Sequence, residues 1–233
     1  VLHYATFLGS GLIAYVHTNT ENQKRLRVDD MNKTPDQEGH TREYPMSLEV
    51  FVSACSNDNN LYVCDGERVI RYTLGSALTS KVLFTKSAEH TDSWGTSIAC
   101  SHTGYTFALL GEPTDQGKVY IYVSEQAGRT FTEEHRNLRA TSAAFSGDDY
   151  LFVTHRDKYN AEKANEQVTV FMFDVTVRDP DSYVAQFTTL GGESVIGNVT
   201  ASPSRLGFYL GAPGLTPDGE TTGSGQVSFS FRT

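Results

Sequence analysis

Short apolar runs alternate along the whole chain with gaps rich in Ser, Gly, Asn and Asp, and no 11-residue stretch carries apolar side chains at helical spacing. Aligned on one small residue, five similar segments emerge: HYATFLGSGLIAY around Ala5, VSACSNDNNLYVC around Ala54, SIACSHTGYTFAL around Ala99, SAAFSGDDYLFVT around Ala144 and VTASPSRLGFYLG around Ala201. In each, the alanine is followed seven residues later by an apolar run: Leu12-Ile13, Leu61-Tyr62-Val63, Thr106-Phe107-Ala108, Leu151-Phe152-Val153 and Phe208-Tyr209-Leu210. Two apolar runs joined by a short polar gap predict a β-hairpin, here five times over.

A third run follows each hairpin: Leu26-Arg27-Val28, Val69-Ile70-Arg71-Tyr72, Val119-Tyr120-Ile121-Tyr122, Val168-Thr169-Val170-Phe171 and Val227-Ser228-Phe229-Ser230-Phe231. Its period-two alternation predicts a strand with two unlike faces. A fourth strand is expected at Val82-Leu83-Phe84, Thr130-Phe131-Thr132 and Tyr183–Phe187. The anchor alanines lie 49, 45, 45 and 57 residues apart, the period of four-stranded propeller blades.

The predicted fold is therefore all-β, a single β-propeller domain over residues 1–233 with blades at roughly 1–48, 49–93, 94–138, 139–194 and 195–233, alone or as part of a larger ring. Small residues suit innermost strands, which converge on a narrow axis. The best helical candidate, Tyr159 to Glu166, has almost no apolar face and is expected to be a solvated insertion. The chain starts on an innermost strand without an initiator Met and ends on a third strand. Closing the ring is thus expected to need a strand from outside, or a blade of three.

Composition narrows the partners. With 19 Lys+Arg against 28 Asp+Glu, a formal charge of −9 and no basic block, nucleic acid and anionic membrane surfaces are poor matches. The longest uncharged apolar run, Leu8 to Val16, is nine residues and too short to span a bilayer. Three cysteines, Cys55, Cys64 and Cys100, leave at least one thiol unpaired and are expected to be buried and inert. Glycosylation patterns stand at Asn32-Lys33-Thr34 and Asn198-Val199-Thr200.

The stretch from Asp92-Ser93-Trp94-Gly95-Thr96-Ser97-Ile98-Ala99-Cys100-Ser101 through Gly104, Leu110-Gly111-Glu112-Pro113 and Gly117-Lys118-Val119-Tyr120-Ile121-Tyr122 resembles an FG-GAP repeat of the integrin-α-type propeller. The fifth repeat is similar at Ile196-Gly197, Val199-Thr200-Ala201-Ser202, Gly211-Ala212-Pro213 and Gly225–Phe229. The other three repeats keep only the strand skeleton. The resemblance implies a non-catalytic recognition or adhesion role, a protein partner, and an extracellular or cell-surface location, with an intracellular one left open by the odd cysteine count. The family's calcium loop is not matched, because the gaps SNDNN, SHTG and SGDD are too short to supply six or more oxygens. Ser124–Phe131 is also similar to the Asp-box turn of sialidase-type propellers, a structural motif, with Gln126 in place of the Asp.

No cofactor or metal is expected: the seven histidines form no HxxxH, and CxxC, P-loop and GxSxG patterns are absent. A glycosidase would need two carboxylates facing each other across the axis. The nearest acids, Glu49, Asp92 and Glu193, lie in the loops that lead into innermost strands. A glycan-binding propeller and a sialidase-like hydrolase thus remain the alternatives to a protein-binding scaffold. Binding is expected on the face where loops between second and third strands meet loops between blades. Long loops at His17–Lys24, His155–Glu166 and Pro213–Ser224 crown that face, with Tyr44, His90, Asp92, Trp94, His135, Arg136, His155 and Tyr159 as candidate contacts. Interblade packing is the favoured reading of Trp94, the one tryptophan.

Overall fold

The computed structural model describes residues 1–57, 60–89, 94–111, 118–124, 132–136, 140–156, 168–176, 184–189, 198–201, 207–215 and 221–230. The first sheet comprises β1 (Leu2–Leu8), β2 (Leu12–Thr18), β3 (Lys24–Asp30) and β4 (Thr41–Pro45). The second holds β5 (Ser53–Asn57), β6 (Asn60–Cys64), β7 (Arg68–Leu74) and β8 (Leu78–Thr85); the third holds β9 (Ser97–Cys100), β10 (Thr106–Leu110), β11 (Val119–Val123) and β12 (Thr132–Arg136). The fourth contains β13 (Ala140–Ser146), β14 (Tyr150–Arg156), β15 (Val168–Asp174) and β16 (Ala185–Thr189), and the fifth β17 (Asn198–Ala201), β18 (Gly207–Leu215) and β19 (Thr221–Ser230). Each sheet is an antiparallel meander in chain order, four with four strands and the fifth with three among the described residues.

First strands of successive sheets lie against one another, β1 beside β5, β5 beside β9, β9 beside β13 and β13 beside β17, as the expected radial order requires. Apolar side chains fill the spaces between sheets. Leu8, Val16, Leu26 and Val28 meet Leu61, Val63, Ile70 and Tyr72 between the first two. Tyr62, Cys64 and Val69 meet Trp94, Phe107, Leu109 and Tyr122 between the second and third. Leu110, Val119 and Ile121 meet Phe145, Leu151, Val153 and Phe173 between the third and fourth. Each fully buried aliphatic or aromatic side chain contributes about 1.5–3 kcal/mol.

This stacking changes the meaning of the alternation. Every residue of β10 is buried, because a blade between two others has no wet face. The two faces of β11 differ in which neighbour they meet, not in polarity. The first sheet shows the apolar-polar alternation of a one-sided strand, with Leu26 and Val28 inward and Arg25 and Arg27 on a face that leaves Phe7 77% exposed.

The anchor alanines prove not to be equivalent. Ala54 joins the core shared with the preceding sheet, whereas Ala99 joins the core shared with the following one. Hairpin length does not account for this pair: Ala54 pairs with Val63 and Ala99 with Ala108, nine residues on in both. Elsewhere the pairing drifts, Ala5 with Tyr15, Ala144 with Phe152 and Ala201 with Phe208, although the spacing to the apolar run is constant in sequence. A shift of one residue turns a strand's side chains to the other face.

Three loop expectations are corrected. β2 and β3 shorten the first loop to residues 19–23, and Pro213 pairs with Ser224, so most of Pro213–Ser224, with Gly223-Ser224-Gly225, lies in the β18–β19 ladder. The Gly211-Ala212-Pro213 loop of the fifth repeat is likewise strand. The fourth strand of the third sheet is described over Thr132–Arg136, and Thr130 and Phe131 of its expected run lie outside the described residues. The Asp-box-like turn and the helical candidate lie outside the described residues.

Candidate functional site

The ends of the second and fourth strands and the starts of the first and third define one end of the sheets, where the predicted binding face lies. Between the first and second sheets this end carries a groove of about 840 Å3 lined by Asn22, Gln23, Lys24, Met46–Val50, Asp65, Glu67 and Arg68. Met46 and Leu48 are buried into the core below, while Ser47, Glu49 and Val50 are exposed along the crossover from β4 to β5. An apolar floor is thus rimmed by Lys24 and Arg68 of one sign and Glu49 and Glu67 of the other.

Both flanking loops are held by side-chain caps. On one side Asn19 Oδ1 accepts from the amides of Glu21 (3.0 Å) and Gln23 (2.9 Å), with Asn22 in the left-handed region at φ 61°. On the other, Asp65 Oδ1 accepts from the amides of Glu67 (3.0 Å) and Arg68 (2.6 Å), and its Oδ2 takes the Arg68 Nε at 2.9 Å. These are the Asx turns that Asn and Asp form with backbone two or three residues on. Gly66 supplies the φ of +93° that the tight β6–β7 turn needs. Arg68 keeps its outer half in solvent, its side chain 46% exposed. The amide of Met46 bonds the Lys24 carbonyl at 3.1 Å, tying the crossover to the first loop.

The sequence candidates distribute as follows. Trp94 is 2% exposed and its Nε1 donates to the Tyr122 hydroxyl at 3.0 Å, within an aromatic cluster in which Phe84 stacks on Tyr122 at 4.2 Å. It serves interblade packing and offers no surface to a partner. Gly95 beside it has φ +76° and lies so close to the second sheet that a Cβ would meet Cys64 Sγ at 2.2 Å, while its carbonyl accepts from the Ser53 hydroxyl at 2.6 Å. The aromatic-Gly pair is therefore a device for close approach of neighbouring blades. Tyr44, expected in a loop, sits in β4 opposite Leu26 and packs on the first core, half-buried.

His135 and Arg136, also expected in a loop, form the end of β12 opposite Tyr120 and Val119. His155 lies near the end of β14 opposite Ala140. All three backbones reach the same end of the sheets as the groove. His90, Asp92, Tyr159 and Glu193 lie outside the described residues. Among the candidates and acids named from sequence, only Glu49 lines the groove. Sequence reasoning followed loop length, which reached Asn22, Gln23 and Lys24 but missed Val50, Glu67 and Arg68. The signal present was Asp65-Gly66 between two apolar runs, the strongest short-range mark of a tight hairpin.

The thiols are set by burial. Cys64 is pushed up to about 12 by burial, and Cys55 is raised well above its ordinary value by the same cause. Among the described residues no three His, Cys, Asp or Glu side chains converge as a metal site would require, and no helix is long and apolar enough to cross a membrane.

Five radially ordered antiparallel meanders define the chain as a β-propeller. Solved structures agree. The β-propeller domain of Myceliophteria thermophila Cps50 (Swd1) superposes with a TM-score of 0.53 at 11% identity, over 95% of this chain and 67% of that one. The tricorn protease superposes with a TM-score of 0.60 at 13% identity, over 98% of this chain. The chain spans only 25% of the length of that protease. No family model and no curated protein matches the sequence.

Proposed function

We propose that the protein is a non-catalytic recognition scaffold that holds a protein partner in the groove between its first and second blades. The observation carrying this reading is the groove itself. Its apolar floor is continuous with the core, its rim carries both signs of charge, and its loops are fastened by their own caps. Rigid loops lower the ordering cost of binding, and apolar anchors ringed by charge suit a peptide segment of mixed composition. The FG-GAP likeness of the third and fifth repeats adds an adhesion-type partner as the class to test first.

The test compares crosslinked partner capture by the wild-type protein and by the paired variant Val50→Asp, Glu67→Lys. Both side chains line the groove. Capture is expected to fall at least tenfold, about 1.4 kcal/mol, while Ser76→Lys in the exposed β7–β8 turn at the opposite end leaves it unchanged. Equal capture by all three proteins overturns the reading. Binding to a glycan array that is lost with Val50→Asp, Glu67→Lys would move the site to the lectin class. Glycan cleavage lost with Glu49→Gln would move it to the hydrolases.

A further inference from the structure

The shift of parity between the second and third sheets brings two cysteines face to face. By sequence Cys55 and Cys100 each follow an anchor alanine and look like the same position in consecutive blades. Because the alanines face opposite ways, Cys55 points forward from the second sheet and Cys100 points back from the third. Both pack in the core between those sheets. Their cross-strand neighbours confirm the layer: Cys55 pairs with Tyr62 and Cys100 with Phe107, and those two rings meet edge to face at 4.9 Å. Burial raises the Cys55 thiol well above its ordinary value, and the neighbouring Cys100 raises it further. Cys55 is buried at 8% exposure, whereas Cys100 is half-buried. Cys64 stands apart at the far end of β6, opposite Ser53 and against Gly95.

We propose that Cys55 and Cys100 form a reversible disulfide that fastens the innermost strands of the second and third blades when a small-molecule disulfide such as oxidised glutathione is present. Cys100, the less buried of the two, attacks one sulfur of the oxidant as its thiolate and releases one glutathione thiolate. The released glutathione thiolate then takes the proton of Cys55, whose sulfur attacks Cys100 Sγ and expels the second glutathione as a thiolate that is protonated from solvent. Two protein thiols are oxidised and one glutathione disulfide is reduced to two thiols. Burial holds Cys55 protonated until the mixed disulfide forms beside it, so Cys100 acts first. Cys64 remains a thiol, which accounts for the odd cysteine count.

The test treats the reduced protein with oxidised glutathione at mildly alkaline pH, quenches exchange with acid, blocks free thiols with N-ethylmaleimide in denaturant so that buried Cys64 reacts, and reads intact mass. The proposal expects loss of two hydrogens and one maleimide adduct. Asp58 lies between Cys55 and Cys64 in sequence, so an aspartate-specific protease separates them, and the linked peptides must contain Cys55 and Cys100. Cys55→Ala should halt at a stable glutathione adduct on Cys100, and Cys100→Ala should acquire no Cys55 adduct. Three maleimide adducts, a bridge to Cys64, or a glutathione adduct that persists on wild-type Cys100 would each overturn the proposal, and the wild-type measurement decides even if a variant fails to fold.

Discussion

The indole of Trp94 and the hydroxyl of Tyr122 are joined by a 3.0 Å hydrogen bond inside the interface between the second and third blades, and both side chains are almost wholly buried. A polar contact placed in so apolar a layer fixes the orientation of both rings, because an unmet donor there would cost desolvation without return. Trp94, read from sequence chiefly as an interblade packing residue and also named as a candidate contact, is thus part of the core.

Tyr122→Phe removes the acceptor and leaves the ring. Stability should fall by about 1–3 kcal/mol. Urea unfolding followed by the emission of Trp94, the one tryptophan, reads this directly, and an unchanged midpoint would contradict the account.

Gly95→Ala should be far costlier than an exposed glycine substitution. The new Cβ meets Cys64 Sγ at 2.2 Å and the backbone stays at φ +76°, together roughly 2–5 kcal/mol. Adding Cys64→Ala removes the sulfur, leaving the φ strain. The double variant should recover part of the loss relative to Gly95→Ala, measured as a coupling energy in a thermal-unfolding cycle.

On the open face of the first sheet, Asp29 accepts from Arg27 Nε and Nη2 at 2.9 Å each and from the Thr41 hydroxyl at 2.8 Å. The Arg27 guanidinium, with help from Thr41, holds its carboxyl below the ordinary aspartate value, against the opposing effect of burial. A depressed folded value stabilises the fold above the unfolded value of about 4, and that share is lost as pH falls through the folded value. Asp29→Asn should lower stability at pH 7 and flatten the acid limb of the stability curve, as measured by urea titrations from pH 7 to pH 3.

At the end opposite the groove, the first-strand hairpin turns are linked from sheet to sheet. Asn57 Nδ2 donates to the His102 carbonyl at 3.1 Å, the His102 amide donates to the Gly147 carbonyl at 3.1 Å, and both the amide and hydroxyl of Thr103 donate to Asp148 Oδ1 at 2.8 Å. Asp148→Ala should cost about 1–2 kcal/mol, and Thr103→Val should cost less, since the amide bond to Asp148 survives. Differential scanning calorimetry of the two variants checks the order.

The hairpins were legible in the sequence because turn chemistry is local: Asn57–Asn60, Gly104 and Gly147 interrupt the apolar runs where the chain reverses. Facing was not: Ala54 and Ala99 pair with residues at the same spacing yet pack into cores on opposite sides of their sheets, which no local pattern distinguishes. Tyr44 and His135 were read as loop residues because the outermost strands TREYP and TEEHR carry little apolar signal. Such strands pair along one edge only, so their sequence is weakly constrained. The groove was hidden for another reason: Lys24, Val50 and Arg68 come from three separate segments, and nothing in any one of them announces the others.

Among the described residues the links through Asn57, His102, Thr103 and Asp148 pass between consecutive sheets, and the third sheet holds partners in them on both sides. Opening of such an array starts where a repeat has a single fastened neighbour and advances one repeat at a time. Amide protons in β9 and β10 should therefore be the last to exchange with deuterated solvent, and those of β1, whose outer flank faces water, among the first.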